Sequence, residues 1–314
     1  MGAIVFRELE PADDSPVQNI LLKEIPMNVP LRQDVFYNRT CYREYYSSII
    51  NSFEIDGMSQ ISVTGTPGIG KSVFYLYFVQ RYRREHPKSS IMTAAFNDNN
   101  ELISCRLFHS GADHVGKEYS VFPLEINTDL LLIDGPPRTR PRKAAQKMVC
   151  FTSPNETWFS SMKTSPYHIR MYMPVWDLEE LLEANEHLGL KLEVKTIQDR
   201  FHLFGGVPRY CISVSPNFVL LAQRHLSLCL SALDNFDTMK GFFQNKSDLE
   251  YVFHIFPESI ATGEKNLPLS YQYKFASESV FAAVNKATES LDQKERNVLA
   301  NMVQHDWETR NLLS

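Results

Sequence analysis

Gly65-Thr66-Pro67-Gly68-Ile69-Gly70-Lys71-Ser72 fits the pattern G-x-x-x-x-G-K-[ST], and each fixed position has a chemical reason. A triphosphate presents crowded anionic oxygens and needs many donors converging on them. Glycines lack Cβ, so successive backbone N–H groups turn inward and form an anion nest. Lys71 supplies a point charge for the β- and γ-phosphates, and the Ser72 hydroxyl is a ligand for Mg²⁺. Val73 opens a run to Arg84 without a helix breaker. A helix there adds its free N–H groups and the positive end of its dipole. The expected nucleotide contacts are Gly65, Thr66, Pro67, Gly68, Ile69, Gly70, Lys71, Ser72 and Val73. Within them Pro67 and Ile69 stiffen or pack the loop rather than touch phosphate. The bland alternative is a glycine-rich turn that binds nothing.

A second signal is Asp129 to Gly135, DLLLIDG. Four apolar residues in a row suit a parallel strand buried on both faces. An acidic residue at its C-terminal end stands at the ligand edge of an open α/β sheet. Asp134 is then the Walker B carboxylate and shares Mg²⁺ with Ser72; the alternative is a turn aspartate. Many hydrolytic relatives of this motif place Glu directly after that Asp to orient the attacking water. Here Gly135 follows. Either another group positions the water, with Glu125 one candidate, or hydrolysis is slow. Met148 to Thr152 is the next buried strand, and Ser153 or Asn155 after it fills the position that senses the γ-phosphate in additional-strand ATPases. The alternative for these two is an ordinary N-cap of the helix Glu156 to Met162. Further on, Gly205-Gly206-Val207-Pro208-Arg209 is a tight turn; in switch-type ATPases such a turn in the lid carries an Arg that reaches the γ-phosphate, and Arg209 is the candidate, the alternative being a plain helix-helix turn. The catalytic set is thus Lys71, Asp134, Asn155 and Arg209.

The elements that must position these groups are readable in outline. Ile61 to Thr64 is a β-branched strand before the loop. Residues 35–53 place Phe36, Cys41, Tyr45, Ile49 and Phe53 at helical intervals, a helix expected on the sheet edge. Arg39 and Arg43 on it are read as solvated or paired. Residues 89–96 and 101–108 read as a hairpin around Asn97-Asp98-Asn99-Asn100, with another short strand in 111–126. This is an antiparallel extension that a minimal nucleotide domain lacks. Residues 138–143 are an exposed basic loop. Ile169 to Met173 is a strand, Val175 to Leu182 opens a helix, and Val194 to Phe204 is a helix stopped by Gly205. Residues 216–314 read as mainly helical, including 218–233 and 278–291. The division expected is 1–34 as an irregular lead-in, 35–175 as the nucleotide core, 176–235 as a helical lid and 236–314 as a mainly helical domain.

Composition narrows the classes. The 314 residues are 43% hydrophobic and 22% charged, as in folded soluble proteins. A net charge of -5 gives no general pull toward nucleic acid or acidic membrane. Five cysteines show no C-x-x-C spacing, so reduced thiols are expected and no metal site built on cysteine. No apolar run approaches membrane-spanning length, so no membrane partner is expected. The first residues lack the cationic and apolar stretches of a signal peptide. Asn245-Lys246-Ser247-Asp248 matches a guanine-reading motif but follows a poor strand, and is read as chance.

VTGTPGIGKS, LLLIDG, FTSPN, MYMPVWDLEELL and FGGVPRY, in this order, resemble the NTPase module of the Crinkler effectors and retrotransposon hot spot proteins. NRTCYREYY, YVFHIFP and YKFASESVFAAV extend the likeness to about residues 36–300. The resemblance implies an α/β P-loop NTPase of additional-strand, AAA- or STAND-like type, with a helical lid and a small C-terminal helical or winged-helix domain. It implies ATP and Mg²⁺ as ligands, and ATP hydrolysis coupled to lid movement. The other class is a nucleotide-gated switch with negligible hydrolysis that acts on a host protein or nucleic acid. Members are secreted into host cells, commonly reaching the nucleus, and are often joined to a nuclease-like domain. Without that likeness, a cytoplasmic or nuclear chain is expected. Further copies of the chain, as a homo-oligomer, are also an open partner class.

Overall fold

The computed structural model describes residues 15–19, 25–28, 33–109, 116–123, 127–138, 145–233, 235–244, 249–262, 265–289 and 291–302. It divides into two compact units: Met1–Gln60, Ser72–Phe151 and Ser161–Tyr167, and Ile61–Lys71, Thr152–Ser160 and His168–Ser314. Glu125, residues 139–143, the 245–248 motif and His305 lie outside the described residues.

In the first unit, β1 (Val17–Asn19) pairs antiparallel with β2 (Val35–Tyr37). The lead-in is therefore not wholly irregular, and the helix expected from residue 35 begins only at α1 (Thr40–Glu54). Val35, Phe36 and Tyr37 are β-branched or aromatic and take a strand where a partner is available. Strand β3 (Gln60–Thr64), which from Ile61 on belongs to the second unit, and helix α2 (Lys71–Glu85) bracket the glycine loop, as the motif requires. Helix α1 lays an aromatic face on α2: Tyr42 stacks on Phe74 at 5.0 Å between ring centroids, and Tyr46 meets Phe78 at 4.7 Å. Phe74 and Phe78 in turn meet Phe151, so α2 is held from both sides by rings. Arg39 is only 2% exposed, so it is not a solvated residue.

Strands β4 (Ile91–Phe96) and β5 (Leu102–Phe108) form the expected hairpin. Its turn is closed by Asn97 Oδ1, which accepts from the N–H groups of Asn99 and Glu101. Strand β6 (Lys117–Tyr119) adds antiparallel to β5. Strand β7 (Thr128–Asp134) runs parallel to β4 and to β8 (Ala145–Phe151), and Leu130 to Ile133 are all buried, which explains the unbroken apolar run. With β9 (His168–Tyr172) the sheet has seven strands in the order β6-β5-β4-β7-β8-β3-β9, mixed but mostly parallel.

In the second unit, Asp177 caps α4 (Leu178–His187) by accepting from Glu180 N–H. Helix α5 (Val194–Phe204) ends at Gly205 with φ +60°. Short α6 (Pro208–Cys211) starts on a proline, and α7 (Pro216–Ser231) and α8 (Phe236–Gln244) follow. Helix α3 (Glu156–Met162) precedes β9 in the chain.

The mainly helical reading of the C-terminal part needs correction. β10 (Phe253–Thr262) and β11 (Lys265–Phe275) form a long antiparallel hairpin before α9 (Glu278–Glu289) and α10 (Gln293–Met302). Phe253, Ile255 and Pro257 face Phe275, Tyr273 and Tyr271 across the ladder, a two-residue period that suits strands.

Candidate functional site

Two partial constellations carry the candidate chemistry, one in each unit. In the first, Ser72 in the first turn of α2 donates its hydroxyl to Asp134 Oδ1 at 2.8 Å. Asp134 ends β7 and is 2% exposed. The backbone N–H of Asn28 donates to its other oxygen, Oδ2, at 2.8 Å. The field of this carboxylate reaches its neighbours. Burial first, and Asp134 second, push the Tyr75 phenol and the Cys150 thiol well above their ordinary values. A hydroxyl and a carboxylate side by side are hard oxygen donors of the kind Mg²⁺ takes, so the pair fits that ion. Among the described residues no group of three or more His, Cys, Asp or Glu is placed to hold a metal.

Gly135 follows Asp134 at φ +86°, and a Cβ there would stand 2.5 Å from the Phe96 carbonyl oxygen. The backbone thus has neither the conformation nor the room for glutamate at this position. The missing carboxylate noted in the sequence has a steric cause.

The second constellation is the glycine loop. Lys71 is 7% exposed, and its amine donates to the carbonyls of Gly65 and Thr66 at 3.0 and 2.9 Å. Gly65, Gly68 and Gly70 all have positive φ. Ile69 is fully buried, in keeping with a packing role, and Pro67 is half-buried. Val73 follows in α2, half-buried.

The loop is gripped at three places. The indole N–H of Trp176, just before α4, donates to the Ile69 carbonyl at 2.8 Å. The N–H of Ile255, on β10, donates to Thr66 Oγ1 at 2.8 Å. Arg209 lies beside Gly68: a Cβ on that glycine would be 3.0 Å from Arg209 Cβ and 3.1 Å from Nε. The glycine-proline turn thus lies with Arg209 beside Gly68 of the loop. Its own geometry is tight, because Trp176 N–H donates to Gly206 O at 2.8 Å and a Cβ on Gly206 would fall 1.7 Å from Trp176 O.

Asn155 acts as the N-cap of α3, its Oδ1 accepting from Trp158 N–H at 2.9 Å. Its amide nitrogen is the donor that the cap does not use. Ser153 is exposed. Arg138, the described end of the basic loop, pairs on the surface with Glu101 at 3.1 Å.

Three contributors went unread in the sequence. Trp176 had a usable signal, since a buried indole needs an acceptor. The backbone N–H groups of Asn28 and Ile255 had none. One further contact resembles a catalytic pair without being one. Ser62 Oγ lies 2.9 Å from His168 Nε2 and accepts from Trp158 Nε1, but Ser62 is a fully buried strand residue that no substrate can reach.

No helix among the described residues is long and apolar enough to cross a membrane. No family model matches the chain. Among curated proteins it is similar to Crinkler effector protein 16 and Crinkler effector protein 15 of Phytophthora infestans. Each is 24% identical over 197 residues, which covers 61% of this chain and 31% of the relative. The matched stretch thus spans about a third of the length of these relatives, and the likeness supports a Crinkler-like relationship.

Proposed function

We propose that the chain binds a nucleoside triphosphate, ATP in the first instance, together with Mg²⁺, and hydrolyses it. The observation that carries this is the 2.8 Å bond between Ser72 Oγ and Asp134 Oδ1. It joins the hydroxyl of the sequence motif to the acidic strand end that the motif needs. The strand order, with β8 between β7 and β3, supports the additional-strand type of P-loop fold. The finer AAA/STAND-like type and the likeness to retrotransposon hot spot proteins rest on the sequence motifs.

Ser72 and Asp134 would hold the magnesium, which when bound neutralises phosphate charge. The loop amides of residues 65–71 cradle the phosphate oxygens. Lys71 exchanges its two carbonyl partners for phosphate oxygens, a stronger charge-assisted pairing. Arg209, beside Gly68, would meet the terminal phosphate and couple it to the lid. Asn155 offers its amide N–H to the same phosphate or to water. Water attacks the γ-phosphorus, the bond to the bridging oxygen breaks, and the nucleoside diphosphate and phosphate leave with one proton released.

A second reading, a nucleotide-gated switch with negligible turnover, is favoured by one observation. The Gly135 backbone excludes the water-orienting glutamate. The partner of such a switch would be a host protein or a nucleic acid. We also propose an effector role within another organism's cells, because both relatives are named effectors; the nucleus as destination rests on the resemblance of the sequence motifs alone.

Melting temperatures with ATP, ADP, GTP or no nucleotide, each with and without Mg²⁺, test the binding. A ligand held only by the folded chain raises the melting point with its affinity. Phosphate release by wild type above that of Lys71→Ala supports hydrolysis; equal background rates leave the switch. Absence of any nucleotide-dependent shift, or the same shift in Lys71→Ala, overturns the proposal.

A further inference from the structure

The oxygen of Asp134 that Ser72 does not use is occupied by the chain itself. Asn28 N–H donates to Oδ2 from 106 residues away. Ile25 and Pro26 beside it are buried, and Met27 and Asn28 are half-buried. A buried carboxylate is costly unless its charge is met by donors, and the Ser72 hydroxyl and the Asn28 N–H are among those that meet it. A magnesium ion with its water shell would meet that charge more strongly and compete for the same lone pairs.

The route of the chain allows the segment to leave. Val17 pairs with Tyr37 and Asn19 with Val35, and Asn38 N–H donates to the Pro16 carbonyl. The chain therefore departs from β1 and returns to the same place at β2. Residues 25–28 take no part in that ladder, so displacing them leaves the β1–β2 pairs in place.

We infer that residues 25–28 are a strap that stands in for the metal on Asp134 and is displaced when magnesium and nucleotide load. The inference rests on the nucleotide reading above. It makes loading a coupled event, in which metal binding frees a segment near the start of the chain.

Peptide-resolved hydrogen exchange on the full chain tests it, in three states: no ligand, ATP with EDTA, and ATP with Mg²⁺. The expected result is protection of the Asn28 amide in the first two states and faster exchange in the third. A second measurement uses Asn28→Pro, which lacks the N–H. The magnesium concentration at half-maximal ATP-dependent thermal shift should fall roughly tenfold, the order of a hydrogen bond to a charged group. If Mg²⁺ and ATP raise the melting point while Asn28 stays protected, the strap is a permanent part of the site and the inference is overturned. A raised magnesium requirement in a folded Asn28→Pro protein overturns it too. If no nucleotide shifts the wild-type melting point, the nucleotide reading fails first and this inference falls with it.

Discussion

Trp176→Phe isolates one grip on the glycine loop. The substitution keeps an aromatic ring and leaves the backbone bond from Trp176 N to Gly206 O intact. It removes the indole N–H that meets the Ile69 carbonyl at 2.8 Å in a buried setting. A buried carbonyl stripped of its donor costs about 1–3 kcal/mol. The smaller ring leaves a void worth roughly another 1 kcal/mol. The expected loss is therefore about 2–4 kcal/mol. At about 2–4 °C per kcal/mol for a unit of this size, the melting point should drop by on the order of 10 °C. Urea unfolding of the nucleotide-free protein gives the free energy directly. The same samples with Mg²⁺ and ATP should show a smaller nucleotide-dependent shift than wild type, because Ile69 lies inside the phosphate loop. A variant as stable as wild type refutes the assigned hydrogen bond. A destabilised variant with an unchanged nucleotide-dependent shift refutes the positioning role and leaves the indole a packing residue.

Gly135→Glu should destabilise the protein, since its Cβ meets Phe96 O at 2.5 Å; a melting point equal to that of wild type would contradict this. Gly206→Ala should unfold the second unit or block its folding, given a Cβ only 1.7 Å from Trp176 O, and circular dichroism reads this directly. Burial lowers the His254 imidazole from its ordinary 6.5 to about 3. The unfolded chain then takes up a proton below about 6.5 that the folded chain refuses until about 3. This contribution is fully present above 6.5 and lost as pH falls toward 3, by up to about 1.4 kcal/mol per pH unit. Denaturant unfolding across that window should lose this slope in His254→Leu.

What the sequence made legible was local. Gly205 after Phe204 announces the end of α5, because left-handed turns restrict residue type within one turn of chain, whereas the helix expected from Val175 starts at Leu178 with Asp177 as its cap. Arg209 was singled out by the likeness of its glycine-proline turn to that of switch-type ATPases, not by any local rule. The hairpin of β10 and β11 was legible in principle, since Phe253 and Ile255 alternate with their neighbours, but the helical pattern around it prevailed. The grips on Asp134 and Thr66 are a different matter. They come from main-chain N–H groups 106 and 189 residues away in sequence. Every residue except proline carries that donor, so neither Asn28 nor Ile255 is marked by its side chain. Position 28, half-buried, should therefore accept many side chains, and position 255, buried in a strand, apolar ones of similar size, while the bonds they make persist. Only proline, which removes the N–H, would expose what the structure asks of them.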